Sequence, residues 1–60
     1  MNWRELAKRA YDSGFVFVKH RKRHDELYNP ETGATILIER HWSQEIRSGL
    51  QKTLLKAIGK

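Results

Sequence analysis

Sixty residues make one domain, near the lower limit at which an apolar core holds together without disulfides, metal or a partner. The chain has no cysteine, which excludes a disulfide framework and a thiolate zinc site and fits a reducing cytoplasm. Twelve Lys and Arg against seven Asp and Glu leave a net charge of +5, a surplus that favours a polyanionic partner such as nucleic acid.

The run Asn2-Trp3-Arg4-Glu5 has the form of a capping box, so a helix is predicted to begin at Trp3. Trp3, Leu6, Ala7, Ala10 and Tyr11 then repeat at the spacing of one helical face, and Gly14 offers a left-handed stop after Ser13. Phe15, Val16, Phe17 and Val18 follow directly. Four β-branched or aromatic residues in a row predict a strand buried on much of both faces. The uncharged stretch 14–18 is far too short for a signal sequence or a membrane span, so a soluble protein without a membrane partner is expected.

After a charged stretch, Glu26-Leu27-Tyr28 and Thr35-Ile36-Leu37-Ile38 flank Asn29-Pro30-Glu31-Thr32-Gly33. Pro30 suits the second position of a type I turn and Gly33 tolerates positive φ, so these segments form a hairpin. The segment 42–47 has mixed signals and reads as a connection with room for a short helical turn. Ser48-Gly49-Leu50-Gln51 repeats the capping-box pattern, and Leu50, Leu54, Ala57 and Ile58 share a face up to a stop at Gly59. The order is α-β-β-β-α, an α+β class in which two helices cover one face of a three-stranded antiparallel sheet and leave the other face open. A single domain, 1–60, is expected.

Chemistry concentrates between the first two strands. Lys19-His20-Arg21-Lys22-Arg23-His24 is a run of six basic or titratable residues, dense enough for phosphate contacts and salt-sensitive RNA affinity. The bland alternative is a solvated loop that only keeps the protein soluble. His24 stands where this loop meets the second strand, a place that fixes an imidazole while the loop attracts phosphates. His20 and His41 lie near strand ends, but the three histidines have no HxH or HExxH spacing, so no metal site is expected. Asp25 and Glu26 point to opposite faces of a strand, which argues against a two-carboxylate metal nuclease. Phe15 and Phe17 are assigned to the core. Trp42, beside His41 in a loop, is the aromatic best placed to touch a ligand.

Taken in order, Ser13-Gly14-Phe15, the basic turn with His24, Tyr28, Asn29-Pro30-Glu31-Thr32-Gly33, Arg40-His41, Glu45-Ile46 and Gly49-Leu50 resemble the HicA toxins over essentially the whole chain. That resemblance implies a fold like the double-stranded-RNA-binding domain. It also implies a metal-independent endoribonuclease acting on mRNA, without a cofactor, in a toxin-antitoxin system. His24 would be its catalytic histidine and a HicB-type antitoxin its inhibitor. Around His24, the residues expected to bind RNA are Lys19, Arg21, Lys22, Arg23, Arg40 and His41. In the family the histidine usually follows Gly and Ser or Thr. Here Lys22 and Arg23 precede it, so RNA would be held by charge where small residues allow close approach. The alternatives are a noncatalytic RNA-binding module of the same fold and an interaction protein that offers its open sheet face.

Overall fold

The structure, a computed structural model, describes residues 1–59. Asn2 caps α1 (Trp3–Asp12), its side chain accepting from the Glu5 N–H at 2.9 Å. Trp3, Leu6, Ala7 and Ala10 face inward, as the spacing predicts, whereas Tyr11 lies at the edge of that face and is exposed. At the other end the Ser13 N–H returns to the carbonyls of Arg9 and Ala10, and Gly14 turns the chain at φ +103°.

Three strands follow, β1 (Val16–His20), β2 (His24–Tyr28) and β3 (Thr35–Glu39), in an antiparallel sheet of order β1-β2-β3. The hairpin between β2 and β3 is tied by Asn29, whose N–H donates to the Ala34 carbonyl and whose own carbonyl accepts from Gly33. The Asn29 side chain, buried, accepts from the Glu31 N–H and donates to the Ser13 carbonyl. One residue therefore closes the turn and ties it to the exit of α1.

The chain from β3 to α2 (Ser48–Ile58) is pinned to the start of α1. The N–H groups of Trp3 and Arg4 donate to the carbonyls of Gln44 and Trp42, and Asn2 forms a bridge with Glu45. The helical turn allowed for in 42–47 is a hydrogen-bonded turn from His41 to Gln44. Ser48 is not the cap of α2, as its pattern suggests, but its first residue; Arg47 takes the cap position with no side-chain bond. The left-handed stop at Gly59 is present, at φ +82°. Leu54 and Ile58 face inward, while Leu50 and Ala57 are exposed.

Both helices pack on β3 and on each other. The core joins Trp3, Leu6 and Ala10 to Phe15, Leu27, Ile36, Ile38, Ile46, Leu54 and Ile58. Along β2, Asp25 and Leu27 turn toward the helices while His24, Glu26 and Tyr28 turn to the open face. On β3 the inward residues are Ile36 and Ile38. Val16, Tyr28 and Leu37 leave apolar surface exposed on or beside the open face.

The first strand departs from expectation. It starts one residue later, at Val16, and all five of its residues are exposed. Phe15 is buried at 2% exposure, but Phe17 is 44% exposed and is not a core residue. The reason is position in the sheet. β1 is an edge strand, and the helices lie over β3, so an apolar run there is left without a cover on either side.

Candidate functional site

The basic turn joins β1 to β2 and is closed by the Arg21 N–H donating to the His24 carbonyl at 2.6 Å. That leaves Lys22 and Arg23 at its tip. Tight two-residue hairpin turns favour positive φ, yet no residue other than glycine has positive φ among the described residues. Arg40, just past β3, supports the turn from outside. Its Nη2 donates to the carbonyls of Arg21 and Lys22 at 3.1 and 3.0 Å.

His24 is the first residue of β2, half-buried on the open face and paired with Glu39 of β3. Lys19 is exposed on the same face, paired with Glu26. Arg21 is held by Glu26 through Nε at 2.8 Å and Nη2 at 2.7 Å. Lys22, Arg23, Arg40 and His41 line a common cleft at this end of the sheet. The expected RNA contacts thus divide by geometry: four gather around one concavity, while Lys19 and Arg21 flank it against Glu26. Trp42 is partly exposed beside His41, and its carbonyl is taken by the Arg4 N–H.

A second imidazole emerges from the register. If the pairing of Val16 with Tyr28 and Phe17 with Leu27 ran on unbroken, His20 would oppose His24. A bulge between Phe17 and Lys19 shifts the strand by one residue and sets His20 opposite Asp25. There His20 Nδ1 donates to Asp25 Oδ1 at 2.6 Å. Arg40 Nε lies 3.8 Å from the same oxygen. Arg40 Nη1 also approaches His20 Nδ1 at 3.4 Å, but with that proton committed to the carboxylate the contact brings two donors together and is no hydrogen bond. The Phe17 ring is tilted against the His20 ring, centroids 4.8 Å apart.

In the linear sequence Asp25 stands out only as half of a carboxylate pair. Folding the hairpin about Lys22 and Arg23 sets residue 20 opposite residue 25, and the bulge reconciles that register with the pairing of Val16 and Tyr28. Among the described residues no group of three or more His, Asp or Glu side chains gathers in a way that could hold a metal ion.

The family model described as the HicA toxin of bacterial toxin-antitoxin systems matches residues 3–60. The chain belongs to the HicA toxin family. It is therefore a toxin of a toxin-antitoxin system, and a HicA toxin implies a cognate antitoxin. A search of curated proteins gave no match. No helix among the described residues of this HicA toxin is long and apolar enough to cross a membrane. The α+β architecture agrees with the order read from capping and periodicity. This HicA toxin has two cations at the tip of the basic turn and, from just past β3, an arginine that supports it.

Proposed function

We propose that this toxin is an endoribonuclease that cleaves mRNA in the cytoplasm with His24 as its catalytic imidazole and with no metal ion or other cofactor. The observation that carries this reading is the position of His24, anchored at the start of β2 beside the cleft of Lys22, Arg23, Arg40 and His41. A phosphodiester drawn to those cations would bring a ribose 2′-hydroxyl toward the rim of the sheet. His24 would then take the hydroxyl proton as the oxygen attacks phosphorus, and the cationic side chains would offset the charge that builds on the phosphate. Lys19 and Arg21 extend the positive surface along the strand for flanking phosphates. A HicB-type antitoxin would inhibit the toxin by covering the basic turn and the open sheet face, where Tyr28 and Leu37 are exposed.

Incubation of single-stranded RNA with the purified toxin, with and without chelator, tests this directly. The wild type should shorten the RNA in both conditions, and His24→Ala should cleave it about 10²- to 10⁴-fold more slowly. Cleavage abolished by chelator but unchanged in His24→Ala would overturn the assignment. RNA retarded intact, with steep salt dependence, would identify the noncatalytic binding module instead.

A further inference from the structure

We propose that His20 is a second catalytic residue, the acid that protonates the leaving 5′-oxygen, and that Asp25 is its positioning residue. The inference rests on the ribonuclease reading and deepens it. Cleavage by a 2′-hydroxyl moves two protons: one leaves the 2′-oxygen as its bond to phosphorus forms, and one must reach the 5′-oxygen as its bond to phosphorus breaks. The products are a 2′,3′-cyclic phosphate end and a 5′-hydroxyl end. The attacking and leaving oxygens lie on opposite sides of phosphorus, so His24, placed for the first proton, is poorly placed for the second.

His20 meets that need by geometry. It is the last residue of β1 and His24 the first of β2, so both stand at the end of the sheet that carries the cationic cleft. His24 belongs to the open face, and His20 is on the side of Asp25. A phosphodiester lying across that end would have an imidazole on either side. The His20 side chain is 65% exposed, while the carboxylate that holds it is only 12% exposed. With the ring in its imidazolium form, the shielded carboxylate holds the Nδ1 proton, and Nε2 at the far end of the ring is left to give its own proton to a ligand. The charged and titratable groups around the ring are Asp25 and Arg40, with Phe17 against its face. The bulge between Phe17 and Lys19, which lets the His20–Asp25 pairing coexist with that of Val16 and Tyr28, is the kind of irregularity found at functional strand ends.

The test compares two RNA oligonucleotides that differ at the mapped cleavage link, one natural and one with sulfur replacing the 5′-bridging oxygen. A thiolate departs without being protonated, so an acid is needed only for the natural link. His20→Ala should cleave natural RNA about 10²-fold or more slowly than the wild type and should cleave the sulfur-bridged RNA at a rate close to the wild type. Asp25→Asn should show the same selective loss, smaller in size, and His24→Ala should lose both substrates. Unimpaired cleavage of natural RNA by His20→Ala overturns this inference and leaves the His24 reading standing. Equal losses on both substrates also overturn it, since they mark a phosphate contact or a structural role. If the wild type cleaves neither RNA, the ribonuclease reading fails and this inference fails with it.

Discussion

Arg40 reaches from the end of β3 to the tip of the basic turn, where its Nη2 donates to the Lys22 carbonyl at 3.0 Å. The same nitrogen serves the Arg21 carbonyl, and the guanidinium also borders Asp25. The planar guanidinium spreads its donors, with Nη2 on the two carbonyls and Nε toward Asp25, a span that the point-like ammonium of a lysine cannot cover. Arg40→Lys should therefore loosen the turn while leaving the sheet intact. We expect faster amide exchange at Arg21, whose N–H closes the turn onto His24. The loss of stability should be only about 1 kcal/mol, because the side chain is partly exposed. Exchange at Arg21 unchanged from the wild type would show that the turn stands without Arg40.

Lys22 and Arg23 occupy the tip of the turn and line the cleft. If they contact phosphates, replacing both with Gly and Ser should weaken binding to a non-cleavable RNA and flatten its salt dependence. The slope of log affinity against log salt should fall by about 0.7 for each single-strand phosphate that is no longer neutralised. Stability should hold or fall slightly, since neither residue has positive φ and glycine there only adds freedom to the unfolded chain. An unaltered slope in the double variant would remove these two residues from the RNA surface.

Gly14 and Gly49 offer a matched pair. Gly14 has φ +103°, and a Cβ there would meet the Asn29 side chain only at ordinary contact distance, 3.7 Å. The strain of Gly14→Ala is thus in the backbone and should cost about 1 to 2 kcal/mol. Gly49 lies in the first turn of α2 with open space around it, so Gly49→Ala should stabilise by up to about 1 kcal/mol. Urea unfolding of the two variants should give shifts of opposite sign.

Phe15 and Phe17 are two residues apart and differ sharply in burial. Truncating Phe15 to Ala should cost about 3 to 5 kcal/mol, enough to unfold much of so small a domain. Phe17→Ala should change stability by less than about 1 kcal/mol, as at other exposed positions. Circular dichroism melts distinguish the two; comparable losses would mean that β1 is covered after all.

The order of elements was legible because its signals are local. Asn2 caps α1 within one turn, Trp3, Leu6, Ala7 and Ala10 repeat on one face, and Asn29 to Gly33 makes its own hairpin turn. The same holds for the basic run from Lys19 to His24, and the residues that mark the HicA family are likewise spread along the primary structure. The exposure of Phe17, the pairing of His20 with Asp25 and the use of Arg40 beneath the turn were not legible in that way. They depend in turn on which strand lies at the sheet edge, on where the basic run turns and on a neighbour eighteen or nineteen positions along the chain. Strand side chains alternate between faces, so a shift of a single residue exchanges every partner. That choice is settled only when the strands pair and the helices close over β3, and it determines which imidazole faces which carboxylate.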